Sequence, residues 1–243
     1  MVVPIIPALN PDEKLIKIVN DLRKTFNKII IVNDGSVNDD IFNKLDKYNE
    51  CIILKHDKNY GKGRALKTAF TYYKDNLMQD YKGVIALDAD GQHAVSDVIK
   101  ICNVLEEKDS FILGTRLFNT KDTPWRNKLG NRITSRIFKW LYGLYIKDTQ
   151  TGLRARPNRL LPFLLSIDGD RFEYELNELI ALVKRKEKIE EVDIKTVYLV
   201  DSNKKSHFKV FKDSYRIYKI LFSKHKEKLE KWDLEFLIII IWI

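Results

Sequence analysis

Apolar residues in this chain fall into short continuous runs, separated by longer stretches in which they recur every three or four positions. The runs at 2–8, 28–32, 51–54, 83–87 and 110–114 read as strands buried on both faces. Helices are expected between them at 14–26, 39–48, 64–76 and 95–108. In the first of these, Leu15, Ile18, Val19, Leu22 and Phe26 share one face, and Asn10-Pro11-Asp12-Glu13 supplies a cap and early acids. Strand and helix alternate about every 25 to 30 residues, which predicts an α/β, Rossmann-like, mostly parallel central sheet flanked by helices.

Beyond residue 114 the rhythm breaks down. Residues 117–130 are polar, with Pro124, Trp125 and Gly130, and 131–146 mix basic and bulky apolar residues as an amphipathic helix would. Such a helix either packs on the sheet or lies at a membrane interface. A polar loop at 148–154 precedes helices at 157–165 and 171–185. In the latter, Glu173, Glu175 and Glu178 sit among apolar residues; they cannot all be buried, and solvated surface is their plain reading. An exposed strand or hairpin is expected at 188–199, a polar turn at 201–205 and a basic amphipathic helix at 210–222. No linker rich in Pro, Gly or Ser divides the chain, so the reading is one catalytic-size domain over 1–222 and a basic extension with an apolar tail over 223–243. The tail, 236–243, is far shorter than the roughly 20 residues of a membrane-spanning helix. It reads as a buried last strand, a membrane-dipping tail or the start of a longer span.

Composition narrows the class. Apolar content of 44% beside 32% charged residues is that of a soluble globular protein and excludes disorder and collagen-like repeats. A formal charge of +9 points to a phosphate-rich or anionic partner: a nucleotide, nucleic acid or an anionic membrane face. The two cysteines, Cys51 and Cys102, have no metal-binding spacing and read as reduced, buried thiols. The N-terminus has no secretory pattern, so a cytosolic location is expected.

Chemistry concentrates where the apolar runs stop. The run 83–87 ends abruptly in Asp88-Ala89-Asp90-Gly91-Gln92-His93. Open α/β sheets bind ligands at such strand ends. Two carboxylates at i and i+2 of an extended chain lean the same way and can share one hard divalent cation; a solvated acidic turn is the plain alternative. An EF-hand is excluded, because its required glycine and glutamate positions fall on His93 and Ile99. A second run ends in Asn33-Asp34-Gly35-Ser36, and a basic loop with glycines spans 56–63. A nucleoside diphosphate on this edge would meet an acceptor, cations and a metal site. Neither a dinucleotide fingerprint nor a Walker A sequence is present.

Five segments, Val3 to Asn10, Val32 to Ser36, Asn59 to Ala65, Asp88 to His93 and Gly114-Thr115-Arg116, occur in the order seen in family 2 glycosyltransferases. The chain resembles the dolichol-phosphate mannose synthase-like branch, especially bacterial enzymes acting on polyprenyl phosphate. The resemblance covers about residues 1–222, and Asp148 to Arg154 and Asn203 to Phe208 also look like this branch. It implies a GT-A fold, a nucleotide-sugar donor (UDP- or GDP-sugar) and Mg²⁺ or Mn²⁺. By motif position, Asp34 is expected at the base or ribose, with Pro7, Ala8 and Asn10 bordering the nucleotide. Lys62 is expected beside its phosphates. Asp88, Asp90 and Gln92 are expected to hold the metal, and Arg116 and Arg132 to lie near an acceptor phosphate. The QxxRW motif of processive members is missing, which disfavours a polysaccharide synthase.

The implied reaction is inverting transfer of one sugar to a polyprenyl (undecaprenyl or dolichyl) phosphate at the cytoplasmic membrane face. Such an acceptor is already anionic and needs no general base. Were it a hydroxyl of an envelope or soluble glycan, Glu173 or Glu175 would have to take its proton. A third reading is a nucleotide- or nucleic-acid-binding module with no transfer chemistry, for which paired metal-binding acids have no purpose. Oligomeric state and donor sugar are not written in these motifs.

Overall fold

A computed structural model describes residues 1–116 and 125–195, with backbone alone for 125–129. The expectations for 117–124, for the strand beyond Lys195, for the C-terminal amphipathic helix at 210–222 and for the extension at 223–243 lie outside the described residues.

A seven-stranded sheet forms the centre, in the order β3-β2-β1-β4-β6-β5-β7. Its strands are β1 (Val2–Ala8), β2 (Ile29–Asn33), β3 (Cys51–Lys55), β4 (Gly83–Ala86), β5 (Phe111–Arg116), β6 (Arg154–Pro157) and β7 (Ile189–Ile194). All pairings are parallel except those of β6, which runs against both β4 and β5. Successive residues of each strand face opposite ways, so the apolar runs feed two cores. Val3, Ile5, Ile30, Val32, Val84 and Phe111 pack toward α3 (Lys62–Asn76), α5 (Trp125–Tyr142), α6 (Leu161–Leu165) and α7 (Glu173–Lys184). Val2, Ile6, Ile29, Ile31, Ile85 and Ile112 pack toward α1 (Glu13–Leu22), α2 (Asp40–Leu45) and α4 (Val95–Lys108). Cys102 lies in the second core, where burial pushes its thiol up to about 12.

Local chemistry sets the element ends. Asp12 caps α1 by accepting from the Lys14 N–H at 3.0 Å. That helix stops at Leu22, short of the expected residue 26, because the N–H groups of Thr25 and Phe26 both turn back to the Leu22 carbonyl. Phe26 stays buried all the same. The helix expected at 131–146 begins earlier, at Trp125, and ends at Tyr142, where Gly143 takes φ +82° and reverses the chain. Ile137, Phe138 and Leu141 bury one side of it against the first core, the sheet packing that was one of its expected settings.

Three expectations are corrected. The segment expected as polar loop and helix contains β6, which inserts between β4 and β5 with Ala86 opposite Arg154 and Val84 opposite Arg156. The expected helix at 157–165 is a 3₁₀ turn at Asn158–Leu160 followed by the short α6. The acids of α7 are not all solvated either: Glu175 and Glu178 are buried. Among the described residues, no helix is long and apolar enough to cross a membrane.

Candidate active site

The C-terminal ends of the parallel strands share one edge of the sheet, and the loops leaving them form the site. On its β2 side, Asp34 is buried and organises the neighbouring loop. Its Oδ1 accepts from His56 Nδ1 at 2.7 Å and from the Tyr60 N–H at 3.0 Å, and its Oδ2 accepts from the Gly61 N–H at 2.8 Å. A carboxylate only accepts, so the His56 proton sits on Nδ1, and Nε2 faces Thr68 Oγ1 at 2.9 Å. Three of the roughly four acceptor positions of Asp34 are filled by the 56–61 loop, and one is left for the base or ribose expected there from the motif. Asn10, at φ +48°, joins the loops after β1 and β2: its N–H donates to Ser36 Oγ at 2.8 Å and its Oδ1 accepts from the Val37 N–H at 2.9 Å. Pro7 and Ala8 end β1 directly behind it.

The acidic loop follows β4. Lys62 stands at the first turn of α3, with Nζ 2.7 Å from Asp88 Oδ1 and 2.9 Å from Glu175 Oε2. Burial works against charge on this lysine, but the two carboxylates outweigh it and hold its pKa above the usual value. Burial likewise opposes charge on Asp88, yet Lys62 and His93 pull its carboxyl well below the usual range. Asp90 behaves in the opposite way: desolvation first, and the negative charge of Asp88 second, raise its pKa. The Asp90 side chain folds over its own loop, Oδ1 accepting from the Gln92 N–H at 3.0 Å, and Gln92 is exposed.

Gly152 closes the back of this loop. A Cβ there would come within 2.4 Å of Asp88 Oδ2, so the glycine is what allows the Asp88 carboxylate to lie against the 148–153 segment. That segment is folded around Asp148, which is fully buried. Arg116 grips it bidentately, Nε to Oδ2 at 2.6 Å and Nη2 to Oδ1 at 3.0 Å, and the Gln150 N–H donates to Oδ1 at 3.1 Å. Arg132 lies on the exposed side of α5.

Sequence reasoning missed a charged group beneath the site. Arg154 and Arg156 are completely buried and converge on the equally buried Glu178. Arg156 Nη2 donates to Glu178 Oε2 at 2.8 Å, and Arg154 Nη1 donates to the same oxygen at 3.0 Å. Arg154 also donates to the carbonyls of Thr149, Thr151 and Glu175. It thereby fastens the 148–153 loop to α7. The signal was a period of two: Leu153 and Ala155 face one core while Arg154 and Arg156 face the other.

Glu173 and Glu175, the two expected bases, each have one oxygen engaged, while Glu175 Oε1 is buried without a hydrogen-bond partner. Glu173 Oε1 accepts from the N–H groups of Asp170 and Arg171 at 3.2 and 3.1 Å, closing the turn before α7, and Glu175 pairs with Lys62. The donor set suits a hard divalent cation. Asp88 and Asp90 offer oxygens, and His93 Nε2, buried without a hydrogen-bond partner, lies 3.5 Å from Asp88 Oδ2. Among the described residues no three His, Cys, Asp or Glu side chains are grouped closely enough to hold a metal ion by themselves.

A family model described as "Glycosyl transferase family 2" matches residues 5–166. One relative is the "UDP-N-acetylglucosamine--dolichyl-phosphate N-acetylglucosaminyltransferase" of Methanococcus voltae. It is 32% identical over 219 residues, spanning 80% of this chain and 84% of the relative. The "Polyprenol monophosphomannose synthase" of Mycolicibacterium smegmatis is 24% identical over 168 residues, 65% of this chain and 62% of its own length. Among solved structures, glucosyl-3-phosphoglycerate synthase from Mycobacterium tuberculosis, in complex with Mn²⁺, UDP and glucosyl-3-phosphoglycerate, superposes with a TM-score of 0.68 at 13% identity. The superposition covers 92% of this chain and 79% of that one. At that identity the likeness bears on the fold alone, and the fold is GT-A.

Proposed function

The chain belongs to glycosyl transferase family 2, and from that premise we propose that it moves a single sugar from a UDP- or GDP-sugar to a polyprenyl phosphate. The observation that carries the choice of acceptor is the state of the two candidate bases. Glu173 is bound to backbone N–H groups and Glu175 to Lys62. A phosphate acceptor is anionic near neutral pH and requires neither, whereas a glycan hydroxyl requires a base. The 32% identical relative, named for a dolichyl-phosphate acceptor, supports the same reading.

In this proposal Pro7, Ala8 and Asn10 border the nucleoside, and Asp34 shapes that side of the site through the 56–61 loop. Asp88, Asp90 and Gln92 would hold Mg²⁺ or Mn²⁺, which when bound offsets the charge growing on the departing diphosphate. Lys62 adds a fixed positive charge next to Asp88, and Arg116, held rigid by Asp148, orients the incoming phosphate together with Arg132. A phosphate oxygen attacks the anomeric carbon as the bond to the nucleotide breaks, so the configuration inverts. The acceptor is lipid-borne, which puts the reaction at a membrane surface, on its cytoplasmic side.

The test incubates the protein with a panel of radiolabelled nucleotide sugars, Mn²⁺ and polyprenyl phosphate. Label in the organic-phase lipid is the expected result. Label confined to aqueous glycan would move the acceptor to a hydroxyl, no transfer with any donor would leave a binding module, and retention at the anomeric carbon would refute single displacement.

A further inference from the structure

Asp88, Lys62 and Glu175 form a charged row that crosses the site between two walls. One wall is the 148–153 loop, against which the Asp88 carboxylate lies so closely that a Cβ at Gly152 would stand 2.4 Å from its Oδ2. The other is the first turn of α7, which carries Glu175. Lys62 Nζ stands between them, 2.7 Å from Asp88 Oδ1 and 2.9 Å from Glu175 Oε2. A lysine on its flexible four-carbon stem follows its carboxylates and does not fix their separation. The spacing has to come from the backbone that carries the two acids.

Arg154 holds that backbone on both sides. Its Nε donates to the Thr151 carbonyl at 2.9 Å, on the peptide bond that enters Gly152, and its Nη2 donates to the Thr149 carbonyl at 3.1 Å. Its Nη1 donates to the carbonyl of Glu175 and, at 3.0 Å, to Glu178 Oε2. All three nitrogens of one planar, buried guanidinium are therefore committed, two to the loop behind Asp88 and one to the helix turn of Glu175. Arg156, two residues along the same strand, is buried in the same cluster but is bonded differently. Its Nε and Nη2 both go to Glu178, and its Nη1 donates to the Arg154 carbonyl at 3.0 Å. None of these three bonds reaches the 148–153 loop or the backbone of Glu175.

Resting on the assignment of Asp88 to the metal, we infer that Arg154 is a positioning residue for the transfer reaction. From inside the sheet it sets the distance between Asp88 and the Lys62 and Glu175 pair, through the peptides that carry the two acids. It touches neither substrate nor metal in this role. Its effect is on where Asp88 offers its oxygens and where Lys62 places its charge, and groups one step behind a metal ligand govern metal affinity in this way.

The test compares Arg154→Lys with Arg156→Lys in the full chain. Each replaces a buried guanidinium by an ammonium that keeps a charge beside Glu178, so both should lower the melting temperature. Only the first releases the carbonyls of Thr149, Thr151 and Glu175. Below the melts, Mn²⁺ binding is followed by electron paramagnetic resonance with UDP and, in parallel, with GDP. Arg154→Lys should weaken it about 10- to 100-fold and lower kcat for transfer to polyprenyl phosphate by a similar factor. Arg156→Lys should leave both near wild type. Should Arg154→Lys not fold, Arg154→Met is compared with Arg156→Met, because each leaves one guanidinium paired with Glu178. Equal losses in the two variants, or wild-type values in the Arg154 variant, would overturn the inference. A wild type that transfers no sugar to polyprenyl phosphate would sink the acceptor reading, and the Mn²⁺ comparison would still decide the role of Arg154. Transfer that needs no added metal would sink the metal reading, and the kcat comparison would decide instead.

Discussion

Gly152→Ala isolates the fit between the 148–153 loop and the acidic loop. The added methyl would stand 2.4 Å from Asp88 Oδ2 and 2.9 Å from its Cγ, where ordinary contact begins at 3.4 Å. The carboxylate or the loop must therefore move by about 1 Å, and a displacement of that size at a reacting centre costs on the order of 10²-fold in rate. The loop is the stiffer partner. Its backbone carbonyls at Thr149 and Thr151 are held by the buried Arg154, and Asp148 is gripped by Arg116, so the Asp88 side chain should be what yields. Movement of a side-chain end leaves the core untouched, and stability should fall by less than about 1 kcal/mol. The assay pairs kcat for sugar transfer with a thermal melt. Near-normal kcat, or a large fall in melting temperature, would show that Gly152 does not set the position of Asp88.

Three further perturbations probe the other parts of the site. Glu178→Gln leaves the buried guanidiniums of Arg154 and Arg156 without their counter-charge and should cost about 3–5 kcal/mol, lowering the melting temperature by about 10 °C or more; a shift of a degree or two would mean that water reaches the cluster. Lys62→Met removes the cation that holds the Asp88 carboxyl below its usual range, so that pKa must rise and the acid limb of the kcat/KM profile must move to higher pH, and an unmoved limb would refute the pairing. Asp90→Ala, at an exposed position, should fold normally yet lose about 10²-fold or more in Mn²⁺-supported transfer, while full activity would remove Asp90 from the metal-binding group.

How far the sequence could be read depended on whether each residue's partners were near it in the chain. Strands β1 to β5 and the loops after β1 to β4 were legible because their apolar runs and their punctuation by Asp, Asn and Gly are local signals. Asp88 and Asp90 belong to this class, and so does the fact of Asp34 standing at a strand end. Which groups of the chain Asp34 holds was not legible, since its partners are His56 and two backbone N–H groups more than twenty residues away.

Strand β6 shows the same limit in its sharpest form. Arg154-Ala155-Arg156-Pro157 carries two full charges in four residues, and a local reading assigns such a segment to solvent. Inside the sheet those charges are tolerable only because Glu178, on a helix two elements later, meets both, and because Phe70 and Phe111 rings lie 5.1 and 5.7 Å from the Arg156 guanidinium. Arg154 was read into a polar loop, Glu178 as solvated surface and Arg156 not at all, for one reason: burial of any of them is forbidden without the others. Glu175 and Lys62 repeat this at the site itself, where a presumed surface acid and a presumed phosphate-binding lysine hold each other next to Asp88. Alternation along 153–156 was the one local trace of the buried cluster. A charged residue at every second position, interleaved with Leu and Ala, is as much a strand signal as an apolar one once a buried counter-charge is admitted.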